Sequence, residues 1–315
     1  MSFLECAGLH TRQVTDLKFN NAGEYLATVS KDKTTKVSAL KPDGSLKLIH
    51  TVPSSSVPTK MAWHPLQPAC FAVCGEDKNV DIWDVRATRA TARIPGIGNH
   101  INLSWSPDGK SIAAGNNSDK LVVFDVQAGT CTEPMSFNYE INEMAWTANS
   151  DHILVTTGCI GGDMGGVNVI SFDANKELKV LHHLPSHNSN CHSLSIDSSF
   201  GTMAVGSADF LVSMWGLQDL ICRYTIPYTS QPRSLTFSGD NKWFCAATES
   251  QTVDIYSSQS GLKAMSLECP APTKLVTFNP KQHLLAMASE AGPNDKAKLM
   301  KHVRLVNVES QLAAS

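Results

Sequence analysis

The sequence predicts an all-β fold, a seven-bladed β-propeller whose ring is closed by the N-terminal strand, and three observations predict it. A unit of strand, turn, strand, turn, strand recurs seven times along the 315 residues. The units are spaced 41 to 50 residues apart. Inside them apolar residues alternate with period two, which argues for short half-buried strands rather than for a helical array.

The clearest unit is residues 101–125, INLSWSPDGKSIAAGNNSDKLVVFD. Apolar residues alternate up to Trp105, Pro107-Asp108-Gly109 makes a turn, Ile112 to Gly115 makes a second strand, and Leu121 to Phe124 a third. The turn has a mechanism: proline presets φ, an aspartate can bond its own backbone, and glycine accepts positive φ. A three-stranded meander of this kind cannot bury both of its faces alone and needs copies of itself. The copies align on the residue ending each first strand: Phe19, Trp63, Trp105, Trp146, Ile196, Phe237 and Phe278. Two residues earlier stand Leu17, Met61, Leu103, Met144, Leu194, Leu235 and Val276, all apolar, so one register is kept seven times.

Later units carry a fourth, outer strand, such as Leu46 to Val52 or Cys222 to Ile226, whereas the last has none after Val303 to Val306. The apolar piece at residues 3–7 is expected to supply it, covering a sheet edge and closing the ring without a covalent link. No linker interrupts the repeat, so residues 1–315 are expected to form a single propeller domain. An acidic residue recurs between second and third strands as Asp32, Asp77, Asp119 and Asp209, and as Glu249 and Glu290. Two regions depart from the unit: the glycine-rich stretch 158–166 in blade four and an insertion at 291–301 in blade seven, both expected to be loops on one face.

Charged residues are 17% of the chain and the formal net charge is −3, which disfavours a basic groove for nucleic acid. Nine scattered cysteines, mostly inside apolar strand segments, read as buried free thiols in a reducing compartment. No run approaches 18 apolar residues and the start lacks a basic region followed by a long apolar one, so neither secretion nor a membrane partner is expected.

Third strands end near Ser38, Trp83, Phe124, Ile170, Trp215, Tyr256 and Val306, and Trp83-Asp84 is the dipeptide for which the WD-repeat family is named. Throughout its length the chain resembles that family. The resemblance implies a hydrogen-bonded chain in each blade, running from a histidine before the first strand through the turn aspartate to the third-strand tryptophan. Blade five offers His187, Asp209 and Trp215, and blade one offers His10 and Asp32 with Ser38 at the aromatic position. Asp77, Trp83 and Asp119 complete the expected structural network. Several blades lack the histidine, so packing is expected to hold them.

No constellation has the grade of a catalytic site. The glycine stretch lacks a Gly-Lys-Ser/Thr ending and joins two strands rather than opening a helix, so it reads as a hairpin turn instead of a phosphate loop. His182, His183, His187, Cys191 and His192 match no closed zinc spacing, and alternation separates Cys191 from His192. Cys70 and Cys74 share a strand face but lie about 13 Å apart by the strand rise, so they are core. The expectation is a non-enzymatic protein without cofactor or metal. Lys296, Lys298 and Lys301 form a short basic run, either a solvated loop or a docking contact for an acidic partner or an RNA phosphate.

Among WD-repeat proteins the chain resembles the propeller-subunit family of the THO/TREX assemblies, best over residues 77–89, 101–116, 206–222 and 232–249. That resemblance implies a nuclear scaffold coupling transcription to mRNA processing and export, with the large helical THO subunit as direct partner and mRNA met only indirectly. Two alternatives stand beside it. Trp83-Asp84-Val85-Arg86 matches the Trp-Asp-x-Arg pattern of substrate receptors of cullin ubiquitin ligases, and a propeller can also bind RNA directly.

Overall fold

A computed structural model describes residues 4–6, 9–159, 164–172, 177–248, 250–289 and 303–312. Seven antiparallel sheets follow one another along the chain, each ordered from an innermost to an outermost strand. The innermost strands are Val14–Phe19, Pro58–Trp63, His100–Trp105, Ile141–Trp146, Cys191–Ile196, Ser234–Phe237 and Thr273–Phe278, and every one ends on the anchor residue of its repeat. The all-β, seven-bladed architecture expected from the repeat is therefore the fold.

Blade three illustrates how the sequence sets the turns. Asp108 Oδ1 accepts the Lys110 amide at 3.0 Å and the Ser106 hydroxyl at 2.6 Å, closing the turn on itself. Gly109 has φ +72°, and a Cβ there would stand 2.4 Å from the His64 ring of blade two. That position therefore needs glycine twice, for its backbone and for the approach of its neighbour.

The ring closes without a covalent link. Strand Leu4–Cys6 pairs antiparallel with Val303–Asn307, with Leu4 opposite Leu305 and Cys6 opposite Val303, and so forms the outer strand of blade seven. Across the seam between blades seven and one Asn279 Nδ2 donates to Gly23 O at 2.8 Å. A short helix, Val308–Leu312, follows the last strand and turns Val308 into the core between blades six and seven.

The apolar core is divided by seam. Among the described residues seven clusters of buried side chains occur, and each joins two neighbouring blades. Val14, Leu17, Phe19 and Leu26 of blade one pack on Leu284, Ala286, Val303 and Leu305 of blade seven, for example. Trp63 and Phe71 of blade two pack on Val29 and Val37 of blade one, with ring centroids 5.3 Å apart within the pair.

Blade three departs from the expectation of one continuous outer strand. Its third strand, Lys120–Asp125, pairs with two short pieces, Thr130–Cys131 and Met135–Ser136. Pro134 stands in the break and has no amide hydrogen to give the ladder. Thr132 covers part of the gap, taking Val123 N on its hydroxyl at 3.0 Å and donating its own amide to Val123 O at 2.9 Å.

Removing residues 1–8 takes away the outer strand of blade seven and leaves Val303–Asn307 as an open edge. With ladder hydrogen bonds each contributing about 1 kcal/mol net, the truncated protein is expected to melt several degrees lower and to self-associate. Calorimetry together with size-exclusion chromatography checks this, and an unchanged melting temperature in a monomeric protein contradicts it.

Candidate functional site

Seven innermost strands converge on a central channel, and their residue three before the anchor forms a belt: Asp16, Lys60, Asn102, Glu143, Ser193, Ser234 and Leu275. A cavity of about 540 Å³ there is lined from all seven blades. Most of the belt's polar groups are engaged with other blades. Asp16 Oδ2 accepts Met61 N at 3.0 Å, Asn102 Nδ2 donates to Ile141 O at 3.1 Å, and Ser193 Oγ donates to Pro232 O at 3.1 Å. Ser234 Oγ donates to Val276 O at 3.2 Å. Lys60 Nζ reaches past blade three to Glu143 Oε2 at 3.0 Å. Burial acts to lower the Lys60 pKa, but Glu143 and Asp16 outweigh it and hold the ammonium charged well above neutral pH.

The anchors explain themselves at the same seams. Trp63, Trp105 and Trp146 each donate an indole N–H backward across the seam, to Lys18 O at 2.9 Å, Ala62 O at 3.1 Å and Ser104 O at 3.1 Å. Ile196, Phe237 and Phe278 have no such donor. Blades five to seven use hydroxyls instead, Ser193 and Ser234 as above and Thr236 Oγ1, which accepts Phe278 N at 3.1 Å.

The second set of sequence-predicted residues forms clamps inside two blades. In blade one His10 Nδ1 donates to Asp32 Oδ2 at 3.0 Å, and the Thr28 hydroxyl donates to His10 Nε2 at 2.8 Å. Burial lowers the His10 pKa more than Asp32 raises it, so the ring is neutral at physiological pH. Burial also acts to raise Asp32, but hydrogen bonds from the Thr34 hydroxyl and Thr11 amide prevail and lower it. In blade five Trp215 Nε1 donates to Ser213 Oγ at 2.8 Å, that hydroxyl donates to His187 Nε2 at 2.8 Å, and His187 Nδ1 donates to Asp209 Oδ2 at 3.0 Å.

The hydroxyl that the sequence reading did not include comes from different strands in the two blades. Thr28 lies on the second strand opposite Lys36, whereas Ser213 lies on the third strand opposite Val205. These are the same cross-strand pair in the two repeats, with the hydroxyl on opposite members. Either strand can present it to the histidine.

The remaining network residues are not brought into such chains. Asp77 caps its own turn, accepting Asn79 N at 3.2 Å. Trp83 packs in the seam between blades one and two, its ring 6.3 Å from that of His50. Asp119 stands one residue later than Asp32 and Asp209 do in their turns. It takes the left-handed place, φ +55°, that Lys33 and Phe210 take in blades one and five. Asn116 closes that turn, its Oδ1 accepting Ser118 N and Lys120 N at 3.0 Å each. Lys296, Lys298 and Lys301, with Glu249 and Glu290, lie outside the described residues.

A signal for the missing histidines was present nine residues before each anchor, where the chain has His10, Ser54, Gly96, Phe137, His187, Tyr228 and Cys269. In blade three Gly96 leaves room that another histidine fills. A Cβ on Gly96 would lie 2.6 Å from Phe124 and 3.0 Å from the ring of His100, which is fully buried against Phe124. Neither ring nitrogen of His100 has a hydrogen-bond partner, and burial lowers its pKa to about 4. In blade six Tyr228 occupies the site and meets Tyr256 edge-on at 5.6 Å.

Other candidates resolve into packing. Cys74 is buried in the seam cluster between blades two and three with Cys70 against it, and burial raises their thiols to about 12 and about 11. Cys191 is buried while His192 faces elsewhere, and His183 Nδ1 bonds Asn168 Oδ1 at 2.8 Å. No group of three metal-ligating side chains occurs among the described residues. Arg86 is bound by its own Asp84, with Nε to Oδ1 at 2.8 Å and Nη2 to Oδ2 at 2.6 Å.

A seven-bladed ring with a histidine–aspartate clamp in two blades, stitched at its seams and open at its faces, defines a repeat propeller that serves as a binding scaffold. Comparisons with known proteins agree. The profile "WD domain, G-beta repeat" matches residues 7–37, and "Anaphase-promoting complex subunit 4 WD40 domain" matches residues 80–149. THO complex subunit 3 of Arabidopsis thaliana is 32% identical over 284 residues, covering 89% of this chain and 88% of that protein. The chain belongs to the WD-repeat family. WD repeat-containing protein AAC3 of Dictyostelium discoideum is 30% identical over 75% of the chain, which spans 49% of that longer relative. Among solved structures the β-propeller domain of Myceliophteria thermophila Cps50 (Swd1) superposes with a TM-score of 0.80 over 98% of this chain and all of that one, at 15% identity.

Two expectations follow. Ser213→Val removes the partner of both His187 and Trp215 and is expected to destabilise the protein by about 1–3 kcal/mol, and adding Val205→Thr is expected to recover most of the loss, as in blade one. Urea melts of the single and double variants measure this. His100 is protonated less readily folded than unfolded, so its contribution is intact above pH 6.5 and falls away as the pH drops toward 4, by about 3 kcal/mol at most. His100→Leu is expected to leave stability at pH 7.5 equal or higher and to flatten that acid limb, which stability measured against pH will reveal.

Proposed function

We propose that the protein is a non-enzymatic scaffold subunit of the nuclear THO/TREX assembly, acting where transcription is coupled to mRNA processing and export. The observation that carries the reading is the likeness to THO complex subunit 3, 32% identical over 89% of this chain and 88% of that one. The large helical THO subunit is the direct partner in this reading, and Lys296, Lys298 and Lys301 offer it a basic contact.

The chemistry of the propeller supports a scaffold. The polar belt of the channel is largely committed to holding blades together, and the clamp histidines are buried. With a net charge of −3 the protein offers RNA phosphates no overall attractive field, so in this reading mRNA is met through the complex.

In nuclear extract the protein is expected to sediment and co-purify with other THO subunits, identified by mass spectrometry, and reversing the charge of the three lysines together weakens that association. Purified alone, it is expected to bind single-stranded RNA only at about the micromolar or weaker, salt-sensitive level of non-specific association. Tight RNA binding by the isolated protein, or recovery only with ubiquitin-ligase adaptors in a manner abolished by Arg86→Ala, rejects the reading.

A further inference from the structure

Beside the belt the channel has a second layer that does little to hold the blades together. One residue before each anchor, and about 7 Å along the strands from the belt, blades two and four carry alanine and blades three, five, six and seven carry Ser104, Ser195, Thr236 and Thr277. Blade one carries Lys18, the layer's one charge. All of these line the cavity of about 540 Å³, together with Pro65, Pro107 and Phe200 from the turns that follow the first strands. Thr236 is buried and engaged at its seam. Lys18, Ser104, Ser195 and Thr277 are partly exposed, and neither the Lys18 ammonium nor any of the three hydroxyls makes a hydrogen bond or an ion pair among the described residues. The cavity's other charges have partners: Glu143 is paired with Lys60, Asp16 accepts Met61 N and acts on Lys60, and Arg233 is engaged as well. No carboxylate stands in the layer of Lys18.

An ammonium with no acceptor of its own, set among hydroxyls, fits an oxyanion: the ammonium supplies charge-assisted hydrogen bonds and a hydroxyl can turn to donate. Thr277 belongs to the blade next to that of Lys18, while Ser104 and Ser195 stand farther round the channel on blades three and five. Those two hydroxyls, each both donor and acceptor, match alcohol groups. The indoles that border the cavity are buried, so the layer presents hydroxyls rather than stacking faces to the body of a ligand. The volume lies in the ordinary range of ligand pockets and is more than a bare phosphate fills. We propose that this layer of the channel binds a small phosphorylated polyol, with the phosphate on Lys18 and Thr277 and the alcohol groups on Ser104 and Ser195. The site lies inside the ring and does not depend on which assembly the propeller joins.

The test uses the full chain with glucose 6-phosphate as probe and isothermal titration calorimetry as readout. The probe is expected to bind with a Kd tighter than about 1 mM, and inorganic phosphate, glucose and adenosine monophosphate at least about tenfold more weakly. Lys18→Met keeps the apolar stem and is expected to melt like the wild type, because the ammonium has no partner to lose, yet to bind the probe about tenfold more weakly or worse. Lys18→Arg is expected to keep most of the affinity, and Lys120→Met, on an exposed residue outside the cavity, all of it. Saturating probe is expected to slow reductive methylation of Lys18 in the wild-type protein, mapped by mass spectrometry, while the exposed Lys47 reacts as before. Absence of binding, equal affinity for inorganic phosphate, glucose or adenosine monophosphate, undiminished binding by Lys18→Met, or unslowed methylation of Lys18 overturns the proposal.

Discussion

The constraint on which everything else depends is that a blade has two faces and neither can be left in water. Each sheet turns large apolar side chains to both sides, and the buried clusters accordingly fall between blades, one at every seam described. A single blade in isolation would expose its half of each of two cores, so it has no independent stability. Closing the ring is what gives the first and last blades a neighbour on their open sides. The pairing of Leu4–Cys6 with Val303–Asn307 and the bond from Asn279 to Gly23 are small in area, yet they stand at the seam that turns an array into a ring.

Hydrogen bonding follows the same seams, and there the seven repeats cease to be equivalent. Between blades one and four the indoles of Trp63, Trp105 and Trp146 reach backward to carbonyls, while between blades five and seven serine and threonine hydroxyls at the channel do comparable work. The intra-blade clamps have diverged further. With histidine retained in blades one and five, the vacated position is taken by Gly96 with His100 in blade three and by Tyr228 against Tyr256 in blade six. An imidazole with no hydrogen-bond partner is tolerable where its ring fills space as an aromatic and its charge is suppressed by burial.

Much of this was legible in the sequence because spacing and alternation are properties of the chain itself. The seven anchors end the seven innermost strands, the Asp108 turn closes as its residues dictate, and the N-terminal piece takes the outer place in blade seven. What could not be read depended on contacts between repeats. Asp119 is offset by one residue because Asn116, from the end of the second strand, closes the turn in its place. The hydroxyl of the clamp was missed because Thr28 and Ser213 occupy opposite strands of one pair, a relation visible only once the strands are paired. The broken outer strand of blade three was written in Pro134, whereas the cavity beside Lys18 needs all seven blades to exist.

The pairing of residues 4–6 with 303–307 also sets an order of events at birth. Translation at about 5–20 residues per second separates the making of these two strands by roughly 15–60 s, during which the inner blades can already stack while the ring remains an open spiral. For that interval Val14, Leu17 and Phe19 lack the residues of blade seven that cover them in the finished ring. The nascent chain thus carries one uncovered apolar flank until its final repeat is complete. It is a natural place for a chaperone to hold and the place where two unfinished copies could exchange their last blades.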